Sequence, residues 1–291
     1  MNHHAYLILA HTEFELLQVL ITCLDDERNE LFVHFDKKIK SLPDLYTKKA
    51  KLNVLQKRFD VRWGDVSVIE AEFALFEEAL SKGPYLYYHL LSGVDLPIKS
   101  QDYIHRFFDN NFGKEFVGYT FTTMQPEIVR KCQRWHLFPR LFKSKSLLIR
   151  GIRHVAIRIQ ETLGIKRNDA VNFKKGPQWV SITDKFAHYL VDNKAWALKT
   201  FTHSFCSDEI FIQTLCWNST FKSSIFSTDN DEIGSMRAIG WRNGQLYDWR
   251  PNDFDLLLSS PALFARKFNM KDPFFIMRVV DISRTSNDGF E

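Results

Sequence analysis

The sequence predicts an α/β fold: a mostly parallel sheet with helices on both faces and an inserted basic helical segment. Three observations predict it. Strand-length apolar runs alternate with stretches of helical periodicity over the first hundred residues. No repeat, low-complexity tract or Pro/Gly linker divides the chain into separate bodies. Between residues 126 and 167, eleven Lys and Arg face only Glu127 and Glu161, a net of +9 in a chain whose total is +4.

Each element follows from its pattern. Residues 6–10 (YLILA) form a continuous apolar run, read as a buried strand. Leu16, Leu17, Leu20, Cys23 and Leu24 then recur at helical spacing, with Thr12 as the expected cap and Glu15 at the capping-box position. Residues 31–35 predict a second strand ending at Asp36, completing a βαβ unit, and residues 54–58 with 61–63 supply a shorter edge strand. Residues 68–79 read as a helix and 85–91 as a fully buried central strand that stops at Ser92-Gly93-Val94-Asp95. Downstream, strands are expected at 116–119 and 179–182, and helices at 184–191 and 207–215. The chain is read as a single domain with a first half over 1–123, a basic helical insert over 124–170 and a second half over 171–291.

Composition bounds the function. With 45% apolar and 25% charged residues, 26 Phe and 7 Trp, the 291-residue chain can bury a large aromatic core, which excludes a disordered or collagen-like protein. Cys23, Cys132, Cys206 and Cys216 lie far apart with no CxxC pair, as expected of reduced thiols in a cytoplasmic protein. No secretory signal is evident and no apolar run is long enough to cross a membrane. Within the insert, Leu147, Leu148, Ile149, Ile152, Val155, Ala156, Ile159 and Leu163 recur near helical spacing among Arg150, Arg153 and Arg158. The plain expectation is an amphipathic helix packed on the body with its basic face solvated. The alternative is attraction to anionic lipid head groups or to a pyrophosphate-linked acceptor, with peripheral membrane contact through residues 140–165. Nucleic acid is not an expected partner, since the total charge is mild and no known binding module appears.

The usual phosphate cradles are missing: no GxGxxG follows the first strand, and neither GxxxxGK[ST] nor GxSxG occurs. In a parallel sheet ligands bind beyond the carboxyl ends of the strands, where His11, Asp36 and Asp95 fall. Asp208, Glu209, Trp241, Arg250, Arg266 and Lys267 are the other polar or aromatic candidates at element ends. Two Asp-x-Asp triplets, at 229–231 and 253–255, lie in a polar loop and at a helix start, poor contexts for metal ligands.

Successive blocks carry a resemblance. Residues 5–11 (AYLILAH), 33–38 (VHFDKK), 63–68 (WGDVSV) and 91–99 (LSGVDLPIK) are followed in order by 176–179 (GPQW), 207–214 (SDEIFIQT), 237–241 (RAIGW) and 263–268 (LFARKF). Together these resemble the core-2/I-branching β-1,6-N-acetylglucosaminyltransferases of glycosyltransferase family 14, which also holds peptide O-xylosyltransferases and plant glucuronosyltransferases. The resemblance implies a GT-A type, Rossmann-like fold, inverting transfer from a UDP-sugar, and no divalent metal or other cofactor. It puts Glu209 at the position of the catalytic base, for which an acidic helix cap is the plain alternative. It puts Lys267 at the pyrophosphate lysine, assisted by Arg266 and by Arg250, with Arg242 as the rival arginine. Asp36 falls at the uridine carboxylate, and His11 and Asp95 on the donor side. Trp179, Asp208 and Trp241 fall on the acceptor side, with core burial the plain alternative for a tryptophan. The implied donor sugar is N-acetylglucosamine, with xylose and glucuronate as alternatives, and the acceptor a glycan or lipid-linked glycan. A non-catalytic sugar-nucleotide or glycan-binding protein of the same fold is the reading from another class.

Overall fold

The computed structural model describes residues 3–120, 124–242 and 244–284. The chain runs β1 (His4–Ala10), α1 (Phe14–Cys23), β2 (Asn29–Phe35), β3 (Lys51–Val54), α2 (Ser67–Leu80), β4 (Tyr87–Ser92), β5 (Asp95–Pro97) and α3 (Gln101–Asn110). It continues through α4 (Met124–Cys132), α5 (Leu147–Thr162), β6 (Ser181–Thr183), α6 (Asp184–Asp192), α7 (Lys194–Phe201) and α8 (Phe211–Trp217). The last elements are α9 (Asp231–Ser235), β7 (Arg237–Ile239), β8 (Trp241–Arg242), β9 (Gln245–Leu246), α10 (Phe254–Ser259), β10 (Phe264–Arg266) and α11 (Pro273–Arg284).

The main sheet has the order β3-β2-β1-β4-β6, parallel throughout except for the antiparallel edge strand β6. Strands β2 and β4 are buried along their whole length, and β1 nearly so. Covering both faces is what makes their sequences continuous apolar runs rather than alternating ones. One face packs Phe73 and Phe76 of α2, Phe186 and Leu190 of α6 and Phe211 of α8. The other packs Leu16, Leu17 and Leu20 of α1, Phe108 of α3 and Val279 of α11. This is the α/β architecture expected. A second sheet, β5-β10-β7, leans over the carboxyl ends of the first, with β10 antiparallel to β5 and parallel to β7. None of the four cysteines is in a disulfide.

Several local expectations are corrected. Thr12 does not cap α1: Glu13 takes the cap position at φ 53° with no side-chain cap bond, and its carboxylate accepts from the Met270 N–H at 3.0 Å instead. The edge strand lies at β3, earlier than expected, and residues 55–58 and 61–63 are irregular. Residues 116–119 form no strand; Phe116 makes a single bridge to Ser181, and Pro177 and the Asp231 carbonyl crowd the side of Gly118 where a Cβ would stand. The helix expected over 207–215 breaks at Ile210, into a 3-10 turn (Ser207–Glu209) and the short α8. Helix α5 forms where expected but faces the other way. Leu148, Ile152, Val155, Ile159 and Leu163 point to solvent, and Ile157 and Gln160 are the buried residues.

Candidate functional site

The two sheets bring the sequence blocks to one edge. Turns after β1 and β2 present His11 and Asp36, β5 presents Asp95, and the end of β10 presents Arg266 and Lys267. Asp95 is 1% exposed. Its carboxylate accepts from the Ser92 hydroxyl at 2.5 Å, the Ser92 N–H at 2.9 Å and the Arg266 Nε at 3.1 Å. Arg266 also donates to the Ser92 hydroxyl at 3.4 Å, and its guanidinium lies 4.3 Å from the centre of the Trp179 ring. A buried carboxylate, a serine and an aromatic face therefore hold one guanidinium in place. Trp179 itself is 5% exposed, so its accessible role is to support Arg266, and little of its face is open to a sugar.

Lys267 is partly exposed, with Nζ 3.4 Å from Asp248, and its carbonyl accepts from the Trp249 N–H at 3.0 Å. That bond brings the backbone of Arg250 beside Lys267. The Arg250 side chain is exposed, whereas Arg242 is tied to Asp253 at 2.7 Å and lies over the Tyr247 ring. Asp36 is buried and pairs with Lys38 at 2.5 Å. His11 lies at the rim: partial burial lowers its pKa, Asp36 opposes the shift, and Lys38, Lys267 and Lys143 reinforce it. These charges all act on one imidazole. Lys143 comes from the basic segment.

Glu209 ends the 3-10 turn and is partly exposed, with its carboxylate 3.4 Å from Lys131 and 3.7 Å from Lys175. Both lysines are shared with Glu127, at 2.7 and 3.0 Å. For Lys131, burial works to lower the pKa, but Glu209 and Glu127 raise it on balance. Behind Glu209 lies Asp208, whose Oδ1 is buried without a hydrogen-bond partner. Burial and then the Glu209 charge push its carboxyl up to about 7. Glu72 of α2 is 0% exposed. Burial and then Asp208 hold its carboxyl well above the ordinary range, against the hydrogen bond from Gln178 at 2.5 Å.

The segment over residues 176–179 joins the two clusters. The Gly176 N–H donates to the Glu209 carbonyl at 2.9 Å, Gln178 donates to Glu72, and Trp179 underlies Arg266. The segment crosses the chain at Gly118 so closely that a Cβ on Gly176 would collide with the Gly118 carbonyl. Only glycine permits that approach. Trp241, 57% exposed on β8, stands next to Gly240, whose N–H donates to the Arg266 carbonyl at 3.0 Å.

Pairwise contacts link these groups: His11 feels the charges of Asp36 and Lys267, the Lys267 carbonyl meets Trp249 next to Arg250, the 176–179 segment runs from the Glu209 carbonyl to Arg266, and Arg266 meets Asp95, Trp179 and, through its carbonyl, Gly240 beside Trp241. One aspartate of each Asp-x-Asp triplet is engaged: Asn230 caps α9 and Asp231 accepts from Thr120, while Asp253 accepts from Arg242 and the Arg250 N–H. Among the described residues no group of three or more His, Cys, Asp or Glu converges as metal ligands would. Lys131, Lys175, Glu127, Glu72 and Gln178 were not anticipated. Gln178 stood within the 176–179 block, and Glu72 had a signal as a carboxylate on the same helical face as Ile69, Phe73 and Phe76.

The match to the core-2/I-branching enzyme family runs over residues 4–263, and the chain belongs to that family of glycosyltransferases. No curated protein matches it. Among solved structures, mouse xyloside xylosyltransferase 1 in its apo form is similar over 91% of this chain and 97% of that one, at 10% identity and a TM-score of 0.37.

Proposed function

We propose that this protein is an inverting, metal-independent glycosyltransferase that moves a sugar from a UDP donor to a hydroxyl of a glycan or lipid-linked glycan. N-acetylglucosamine in β linkage is the first donor to test, ahead of xylose and glucuronate. The acceptor hydroxyl gives its proton to Glu209 as its oxygen attacks the anomeric carbon from the face opposite the nucleotide. The bond to the β-phosphate oxygen breaks with its electron pair passing to UDP, and Arg266, Lys267 and Arg250 take up the developing charge. Asp36, now bonded to Lys38, accepts from the uracil N3–H or a ribose hydroxyl when the donor is bound, and His11 is on the donor side. Asp95, whose lone pairs are engaged by Ser92 and Arg266, acts through the arginine. Trp241 offers an exposed aromatic face to the acceptor, and Asp208 backs the base.

One observation supports this reading: the 176–179 segment hydrogen-bonds the Glu209 backbone at one end and lies against Arg266 at the other. The test is UDP release from UDP-N-acetylglucosamine, UDP-xylose and UDP-glucuronate, with and without EDTA, and the anomeric configuration of the product by NMR. One donor should turn over, equally in chelator, with a β product. Strict manganese dependence or an α product would overturn the reading, and UDP binding without turnover on any acceptor would favour a non-catalytic protein.

A further inference from the structure

The outer face of α5 is unusual for a helix on a folded body. Leu148, Ile152, Val155, Ile159 and Leu163 form one stripe, and they are 73%, 41%, 55%, 50% and 67% exposed. The inner face is mixed: Ile157 is buried there, Arg153 donates to the Phe142 carbonyl, and Gln160 exchanges bonds with the backbone of Trp135. A helix that turns its apolar stripe away from its own core leaves that stripe for another apolar phase. What surrounds the stripe indicates which phase. Lys143, Lys145, Arg158 and Lys166 are exposed around it, while Glu161 is paired with Arg158 at 3.2 Å. No described helix is long and apolar enough to cross a membrane, and α5 has the make-up of one that lies along a surface.

We propose that α5 binds the face of an anionic phospholipid bilayer, its apolar stripe at the acyl boundary and its cations among the head groups. Resting on the glycosyltransfer reading above, the same contact names the acceptor class as lipid-borne. Beneath α5 lies a cavity of about 410 Å³, lined by Arg130, Lys131, Arg150, Arg153, His136 and His154 among others. Lys131 lines it and also pairs with Glu209, so docking through α5 brings the side of the molecule that bears Glu209 to the bilayer. The cations of that cavity suit the phosphate of a lipid-linked acceptor.

The test is flotation of the full chain with phosphatidylcholine vesicles, pure or containing about a quarter phosphatidylglycerol. Binding is expected only with the anionic lipid. It should weaken markedly between about 0.1 and 0.5 M salt, and Ile152→Glu/Val155→Glu/Ile159→Glu should reduce it at least about tenfold. All three side chains are solvent-facing, so the melting temperature and UDP binding of that variant should match the parent. Equal flotation of parent and triple variant, equal binding to neutral vesicles, or no vesicle binding would each overturn the proposal. So would a dimer, seen by light scattering, that the triple variant abolishes while the parent ignores vesicles. Flotation is read without turnover, so a failed membrane contact and a failed glycosyltransfer assay are distinguishable outcomes.

Discussion

Arg266 and Lys267 are neighbours in sequence with different physical settings, and their variants should differ accordingly. Arg266 is seated by Asp95, Ser92 and Trp179, whereas the Lys267 ammonium is partly exposed beside Asp248. Charge-assisted bonds from a preorganised guanidinium are worth about 1.5–3 kcal/mol, so Arg266→Ala should weaken UDP binding roughly 10- to 100-fold. Lys267→Ala should weaken it less, as calorimetric titration with UDP will show. Asp95→Asn should mimic part of the Arg266 loss; wild-type affinity in that variant would mean the carboxylate does not hold the arginine. Asp208 makes a pH-dependent prediction. Its carboxyl is raised to about 7 against an ordinary 3.8, so its share of folding stability is present below the unfolded value and lost as pH rises through about 7. Asp208→Asn should therefore add on the order of 1–3 kcal/mol at pH 8 and little at pH 4, measured by urea unfolding. A gain of equal size at both pH values would contradict the account.

At the scale of elements, legibility in the sequence followed burial. Strands β1, β2 and β4 and helices α2 and α6 were legible because both faces of the sheet are covered, which leaves apolar runs and periodic stripes that need no tertiary information. Residues 116–119 are just as apolar but make only one bridge, since a strand needs a partner that local sequence does not announce. Helix α5 was legible as a helix and misread as to face, because periodicity gives the stripe but not what it meets. The join at residues 176–179 stood in the sequence as a block, yet its role depends on the crossing at Gly118. Gly176→Ala should push the segment off that crossing and impair UDP binding and turnover together, with a lower melting temperature. Loss of stability alone, with UDP affinity unchanged, would separate the segment from the site.

The whole molecule is a sheet whose carboxyl edge is closed by a second, smaller sheet, and the candidate site lies along that seam. His11, Asp36, Glu209, Arg266 and Lys267 stand in the sequence within ordered blocks. The lysines around Glu209 were not legible, because Lys131 is one of eleven cations in its window and Lys175 lies just outside the 176–179 block. Beneath the site the core carries its own pH dependence. His4, His89 and His105 pack together, with His4 and His105 rings 4.1 Å apart and His89 bonded to Ser181 at 2.8 Å. Burial, then the Arg28 charge, lowers His105 to about 4, so its neutral form stabilises the fold above about pH 6.5 and that contribution is lost as pH falls toward 4. A His105→Gln variant keeps a donor for Asn29. The stability gap between parent and variant should shrink between pH 7 and pH 4; a constant gap would contradict the burial argument.

The central claim is that Glu209 takes the acceptor proton while side-chain cations hold the departing nucleotide. Its most direct measurement is single-turnover transfer by Glu209→Gln alongside UDP affinity. The claim predicts a rate lower by roughly 100- to 10,000-fold with UDP affinity within about threefold of the parent. Transfer at the parental rate, or a loss of UDP binding as large as the loss of rate, would contradict it.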